Sequence, residues 1–494
     1  MPMDLTNLES LKYFYPELIL SGTVLLLVIL DLVIQNKKVL GPFAALGCLL
    51  SLGATLQLYG ASEGWLFFRM IILDNFSLFF KVVSLLAVLL VVWMSVGCHE
   101  VRQVYQGEYY TVLLASTLGM FFMASASNLL MAYLSLELVS LTSYILTGSL
   151  HHNRRSSEAA LKYLIYGGVA SGSMIYGMSW IFGMTGSLDY AVIREVLHQG
   201  EINRLTLFMA FLFILSGFGY KAVFVPFHMW SPDVYEGAPT PITAFLSVGS
   251  NAAGVAIMIR FFFPAVSHLG EGGNWDFIPG VEWPHFLLMV SMVTMTLGNL
   301  CALGQQNVKR LLAYSGIAHA GYILMGLVVL NNIGLRAMLF YIVVYLIMNL
   351  GAFLVVIIVS NATGREDIEA YRGLAWRGAA VPATCMAIFL FSLAGLPPLA
   401  GFVGKFFLFA AVIKGEFYFL AVVAIINSVI SLYYYALIVK TMFLDFPEPT
   451  DQEVAMTPTA FPLLLILAIP TVFFGIYWGP LFHYTNQSLG FFIK

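Results

Sequence analysis

Four lysines and one glutamate of this 494-residue chain lie inside apolar runs: Lys81, Lys162, Lys221, Lys405 and Glu137. A charge at the centre of a bilayer costs ~2.5–3.5 kcal/mol even on the most lenient insertion scale, so each needs a reason to be there. Proton transfer is one. Burial disfavours the charged form of a lysine and a nearby carboxylate favours it. A carboxylate whose distance or screening changes therefore switches a lysine between holding and releasing a proton. The competing reading is a static ion pair, Glu137 with one lysine, that fixes helix packing. Lys405 has no mid-membrane acid of its own, which weakens that account. Lys81 and Lys162 fall near the starts of their runs, where a long side chain can snorkel to the headgroups. Lys221 and Lys405 lie deeper.

Helix breakers accompany these two. Residues 215–246 read LSGFGYKAVFVPFHMWSPDVYEGAPTPITAFL, with Pro226 five residues beyond Lys221. Residues 395–407 read GLPPLAGFVGKFF, with Lys405 seven residues beyond Pro398 and Gly395, Gly401 and Gly404 close by. Proline inside a helix removes a backbone hydrogen bond and clashes with the preceding turn. In a membrane that is tolerated only where protein or water satisfies the freed groups. Pro226, Pro397 and Pro398 thus mark two interrupted spans, each carrying a buried lysine, with backbone groups expected to be open to water.

The elements that must hold these residues follow from composition. The chain is 60% hydrophobic and 10% charged, against about 45–50% and about 25% in soluble domains. It reads as an all-α polytopic membrane protein. At about 20 apolar residues per crossing, about fourteen spans are expected: 17–34, 39–60, 73–97, 109–126, 128–149, 158–183, 205–227, 240–263, 285–304, 309–331, 335–360, 380–413, 417–443 and 459–480. The first run lacks a basic leader and cleavage site and reads as a span. The connections 184–204, 264–284, 361–379 and 444–458 are too short for a soluble domain. Loop cations favour one side, eleven Lys and Arg in the odd-numbered loops against eight opposite, Lys494 among the latter. The positive-inside rule then puts both termini outside.

The two interrupted spans, seven and twelve, are five apart. Paired broken segments suggest an internal repeat, and an odd offset inverts it. The expected organisation is an N-terminal group of three helices over 1–108, a first repeat over 109–263, an inverted second repeat over 285–443, and a final span with the tail over 459–494.

Other chemistries find little support. The net charge of -3 offers no basic field for nucleic acid. Cys48, Cys98, Cys301 and Cys385 are far apart and read as membrane-core residues rather than metal ligands or disulfides. GFGYKA (217–222) matches a dinucleotide fingerprint but follows no strand and lies in a span, so it is rejected. His151, His152 and His228 have no metal-like company and read as loop or interfacial residues.

The motif YKAVFVPFHMWSPDVYEGAPTPITAFL (220–246) resembles the signature of the antiporter-like subunits of respiratory complex I and of Mrp-type cation/proton antiporters. EAALKYLIYG (158–167), KRLLAYSGIAHAGYILMG (309–326) and AGLPPLAGFVGKF (394–406) are most similar to the subunit N family of bacterial NADH–quinone oxidoreductases. The L type carries a long C-terminal extension absent here, and the M type has Glu in place of the span-twelve lysine. The resemblance implies a proton-translocating subunit of a translocase in the bacterial inner membrane, with two inverted five-helix half-channels. Glu137 would pair with Lys221, and Lys405 would serve the second half-channel. Lys162 and His319 match auxiliary relay positions. It also implies that this chain holds no cofactor, and that NADH, FMN, iron–sulfur clusters and quinone belong to partner subunits. Its neighbours would be antiporter-like subunit M and the small subunits K, J and A. One position departs. The family carries a central Lys or His on span eight, and TPITAFLSVGSNAAG (240–254) places Asn251 there. Asn251 with Ser247 and Ser250 is expected to organise water in its place. Two other functions stay open at this stage: a sodium/proton antiporter subunit of the Mrp type, and a purely structural membrane subunit.

Overall fold

The computed structural model describes residues 3–493 except 62, 201, 271–274, 279–281 and 450. Lys494 and part of the 264–284 connection fall outside the described residues. Long helices dominate in chain order: α1 (Tyr15–Val33), α2 (Leu40–Gln57), α3 (Asn75–Val96), α4 (Gln106–Ser125), α5 (Leu129–Thr147), α6 (Arg154–Thr185), α7 (Arg204–Ala222), α8 (Thr240–Val266), α9 (Trp283–Ala302), α10 (Val308–Val328), α11 (Asn332–Thr363), α12 (Ala380–Ala394), α13 (Ala400–Lys414), α14 (Tyr418–Phe443) and α15 (Ala460–Ile476). Each expected span is matched by one of these helices, or by two where the span is broken. Ten are long and apolar enough to cross a bilayer by those criteria alone, and α15 with the helix Gly479–Gln487, bent by 90°, makes an eleventh candidate. Helices α4, α6, α12 and α13 are too polar or too short to qualify separately.

Short strands lie outside the bundle. Gly64–Leu66 pairs parallel with Met3–Asp4 and antiparallel with Ile71–Leu73, and Ser267–Leu269 pairs antiparallel with Trp275–Phe277. Both chain ends gather on this side, where Trp65 meets Phe491 and the Trp275 indole donates to the Phe492 carbonyl at 3.2 Å. The termini therefore share one face, which we call the terminal face.

Helices α8, α10 and α11 are the most enclosed, with nearly every side chain buried, whereas α1, α2 and α14 turn apolar surfaces outward. Hydrocarbon is the expected solvent for such surfaces. The enclosed helices carry the polar groups discussed below.

The fold corrects several readings of single charges. Lys81 does not snorkel: it is buried against Glu17 of α1, Nζ to Oε1 2.5 Å. Glu17 itself is an enclosed acid that the span count left at an interface. Arg260, counted with the loop cations although it falls inside the expected span 240–263, is buried in α8. Its Nε donates to the Ala124 carbonyl at 2.8 Å, its Nη2 pairs with Asp74, and its guanidinium stands 4.5 Å from the Phe76 ring centre. Lys309, likewise counted with the loop cations though it opens the expected span 309–331, is buried on Glu366 at 3.0 Å and the Ala238 carbonyl at 2.8 Å. His228 is buried rather than interfacial, while His151 and His152 are exposed. The common reason is that a run's ends need not reach the lipid headgroups when neighbouring helices cover them and supply a counter-charge.

Removing one partner of a buried pair leaves an uncompensated charge, at about 3–5 kcal/mol. Arg260→Met is accordingly expected to lower the thermal stability of the folded chain sharply, and Arg260→Met with Asp74→Asn to recover much of it. Thermal melts of the two purified variants check this; equal melting points for single and double variants would contradict it.

Candidate functional site

Both proline breaks are present, and both are filled by protein rather than left open. Helix α7 stops at Ala222 because Val223 takes a left-handed conformation, φ 58°. A β-branched residue there is an outlier. Beyond it the chain passes Pro226 and forms a short helix, Ser231–Gly237, before α8 begins. The Trp230 indole takes the Tyr220 carbonyl at 3.1 Å, and the Val225 N–H donates to Thr294 of α9 at 3.1 Å. In span twelve, Gly395 ends α12 at φ 90° and α13 starts after Pro397 and Pro398. A side chain at 395 would be strained by that φ, and its Cβ would lie 2.9 Å from Lys405 Cδ. The expectation that water takes the freed backbone groups is thus corrected where indole, hydroxyl and ammonium groups do so.

Lys405 is the clearest example. Its Nζ donates to the Ala394 carbonyl, freed by the break, at 3.0 Å and lies 3.0 Å from Ser428 Oγ of α14. The ammonium also sits 4.6 Å from the ring centre of Tyr322, a cation–π arrangement. No carboxylate pairs with it among the described residues.

Lys221, in the last turn of α7, is equally buried. Its Nζ faces Ser140 Oγ of α5 at 3.4 Å. Glu137 stands one turn earlier on α5, partly buried, with Oε1 enclosed and without a partner. No direct salt bridge joins Glu137 to Lys221 among the described residues, although the carboxylate is near enough to act electrostatically on that lysine. Glu137 and Ser140, three residues apart, share a helix face, and of the two it is Ser140 that the Lys221 ammonium meets.

The middle of the molecule carries the link. Helix α8 contains a π-helical turn over Leu246–Ser250, immediately before Asn251. Such turns widen a helix and recur at functional sites. Asn251 is buried with Oδ1 unpartnered, Ser250 is buried, and Ser247 accepts a hydrogen bond from Asn349 Nδ2 at 2.9 Å. Asn251 lies one turn before Gly254, whose missing side chain lets α8 pack on the backbone of Lys221; a Cβ there would be 2.9 Å from Lys221 C. From Ser247 the path continues along α11. Tyr341, Tyr345 and Asn349 are four residues apart and share one face. Asn349 Nδ2 also donates to Tyr345 OH at 3.1 Å, the Tyr345 ring lies 5.0 Å from the His319 ring, and His319 Nδ1 meets Tyr341 OH at 2.7 Å. His319 Nε2 lies 3.3 Å from Tyr435 OH, which contacts Ser315. Tyr322, under the Lys405 ammonium, is 5.8 Å from His319 between ring centres.

Lys162 is elsewhere. It lies at the end of α6 away from the terminal face, half-exposed, on Asp233 at 2.6 Å and Glu158 at 2.9 Å. Arg310 shares Asp233 at 2.6 Å and Glu236 at 3.0 Å, and these groups line a recess of about 220 Å³. The structure thus brings together Lys221, Ser140 and Glu137, and separately Lys405, His319, Ser247 and Asn349. It does not bring Lys162 to Lys221.

Asn349, Tyr345, Tyr341 and Ser140 were missed by sequence reasoning. Their signal was present as a Tyr-x₃-Tyr-x₃-Asn stripe (341, 345, 349) in an otherwise apolar helix. Uncharged residues in a span attract no notice, however, until a partner is seen. Among the described residues no group of three or more His, Cys, Asp or Glu is placed to hold a metal ion.

A helical membrane protein with two buried lysines, each at a helix break, and with hydroxyl, imidazole and amide groups buried on the enclosed helices beside them, belongs to the class of proteins that conduct protons or cations. The profile of the family described as NADH:quinone oxidoreductase/Mrp antiporter, transmembrane, matches residues 126–431. NADH-quinone oxidoreductase subunit N 2 of Sorangium cellulosum is 47% identical, over 99% of each chain. Subunit N of an Anaeromyxobacter strain is 43% identical, over 100% of this chain and 99% of its own. Respiratory complex I from Thermus thermophilus contains a chain superposing with a TM-score of 0.79 at 30% identity, over 95% of this chain and 98% of that one. A chain of the Mrp complex from Dietzia shares the fold, with a TM-score of 0.83 at 20% identity. The chain belongs to the NADH:quinone oxidoreductase/Mrp antiporter transmembrane family, as a member of its NADH-quinone oxidoreductase subunit N branch.

Proposed function

We propose that this chain translocates protons across the bacterial inner membrane as a subunit of an NADH–quinone oxidoreductase, driven by electron transfer in other subunits. The observation that carries the proposal is the pair of buried lysines, Lys221 and Lys405, each at a helix break, with Asn251, Ser247, Asn349, Tyr345 and His319 buried on the helices packed beside them. Residues 109–263 and 285–443 act as inverted half-channels. NADH, FMN, iron–sulfur clusters and quinone are handled by partner subunits, with antiporter-like subunit M and small subunits K, J and A as membrane neighbours. The terminal face is periplasmic. The recess at Lys162, Asp233 and Arg310 then opens to the cytoplasm and receives protons for the first half-channel, so Lys162 attracts and positions protons at the entrance.

Within the first half-channel, movement of charge at Glu137 relative to Lys221 sets whether that lysine keeps its proton, since an opposite charge favours the charged form. Ser140 is placed to relay between them. Asn251 cannot exchange a proton at neutral pH, but its unpartnered Oδ1, with Ser247 and Ser250 in the widened turn of α8, can order a water between Lys221 and the α11 stripe. His319 can accept a proton on one ring nitrogen while giving one from the other, and hands it toward Lys405. Ser428 and the Ala394 carbonyl hold that lysine in place.

Asn349→Leu tests the link. It removes both hydrogen bonds of Nδ2 with a side chain of the same branching and touches neither lysine. Assembled complex carrying it should oxidise NADH with fewer protons moved per electron pair, measured in proteoliposomes with a pH-sensitive dye and with sodium absent. An unchanged ratio would remove Asn349 from the path. A requirement for sodium would favour the cation-antiport function instead.

A further inference from the structure

Between the N-terminal helices and the outer side of the second half-channel, α2, α3, α11 and α15 border a laterally open cleft of about 750 Å³ whose wall is almost wholly apolar. Ala45 and Leu49 of α2, Leu86 of α3, Val343 and Ile347 of α11 and Phe474 of α15 line it. Along α3 it extends from Val82 to Val96, about 21 Å at 1.5 Å per residue. One leaflet contributes about 15 Å of hydrocarbon, half of a ~30 Å core. An empty apolar void forfeits the dispersion contacts of its lining, and in a bilayer the molecule at hand to restore them is a lipid tail.

A second observation specifies the headgroup. Arg336 lies seven residues before Val343 on α11, two turns toward the terminal face and on the same helix stripe. It is half-buried, its guanidinium stands 5.2 Å from the ring centre of Phe482, and its buried Nε has no acceptor among the described residues. Arg260, Arg310 and Arg377, by contrast, all have carboxylate or carbonyl acceptors. Phe482 neighbours Leu481 and Tyr484, both of which line the cleft, and the Tyr484 hydroxyl meets that of Tyr59 at 2.5 Å. Beside the end of the cleft formed by Leu481 and Tyr484 thus stand the Arg336 guanidinium, over Phe482, and the paired hydroxyls of Tyr484 and Tyr59, the composition expected at headgroup depth. An arginine fork matches phosphate oxygens.

We propose that this cleft is a binding site for one anionic phospholipid, an acyl chain lying along α3 and α11 and its phosphate held by Arg336. The site braces the N-terminal three helices against α11, the helix that carries the Tyr341–Asn349 stripe.

The test places p-benzoylphenylalanine at Leu86 in the assembled complex and identifies the photo-adduct by mass spectrometry. A phospholipid adduct is expected, with the ratio of anionic to zwitterionic lipid enriched about five-fold over the bulk membrane, the factor for one basic side chain near a charged surface. With Arg336→Gln the adduct should persist and the ratio should return to the bulk value. Arg336→Lys should keep most of the enrichment. An adduct with a neighbouring protein chain, no adduct, a bulk ratio in the unmodified background, or enrichment indifferent to Arg336→Gln would each overturn the proposal. The unmodified background decides it even if Arg336→Gln fails to assemble.

Discussion

Lys405→Met is expected to abolish proton translocation while leaving the complex assembled and at least as stable as before. The two halves of this expectation have separate causes. Lys405 has hydrogen bonds to Ala394 and Ser428 and a ring beneath it, but no carboxylate partner. A buried charge without a counter-ion costs free energy, and an apolar replacement of similar volume is often neutral or stabilising. A purely structural lysine would therefore lose little by becoming methionine. A proton carrier would lose its function, because loss of a positioned acid–base group typically slows a transfer step by about 10²–10⁴-fold. Lys405→Arg separates charge from titration: arginine keeps the charge and does not release a proton at accessible pH, so it too should fail to pump. Protons moved per NADH oxidised in proteoliposomes, together with a native gel and a thermal melt, check all three outcomes. Normal pumping by Lys405→Met would remove this lysine from the mechanism.

The second large effect concerns Glu137 and Lys221. Lys221 faces Ser140, and Glu137 keeps an unpartnered oxygen one turn away. Were they a static salt bridge, breaking it from either side would cost about 3–5 kcal/mol of stability. Without direct contact, Glu137→Gln should leave the melting temperature nearly unchanged while lowering pumping about 10²-fold or more, the lower end of what loss of an acid–base group produces. Lys221→Ala should lower pumping as far, and the double variant no further, because both act on one step. The cycle thus predicts strong coupling in turnover and weak coupling in stability. The reverse pattern, large and non-additive losses of stability with pumping intact, would make the pair a packing device.

The reach of sequence reasoning differed by residue for physical reasons. The spans, the breaks at Pro226 and at Pro397 and Pro398, and the depth of Lys221 and Lys405 were legible because lipid imposes apolar length and proline removes a helix hydrogen bond and clashes with the preceding turn, although Pro470 is accommodated within α15. The π-helical turn before Asn251 was not legible. It adds one residue to a turn without a distinctive composition, and its place depends on how α8 packs on Lys221 and α11. Lys162 was assigned to the relay from its motif, yet it faces Asp233 at an open recess, because a helix of 32 residues carries its first turns beyond the enclosed bundle.

What the sequence alone determined about this protein is which residues are costly in a membrane: the buried lysines, Glu137 and the interrupted spans, each set by its own chemistry against hydrocarbon. Which of them have partners was decided only by tertiary structure. Lys81 turned out to be neutralised by Glu17 and Arg260 by Asp74, and Lys405 to be left with a carbonyl, a hydroxyl and a ring. A counter-charge comes from whichever helix packs alongside, often far away in the chain. The path from Asn251 to His319 through Asn349 and Tyr345 likewise exists only once α8, α10 and α11 lie together.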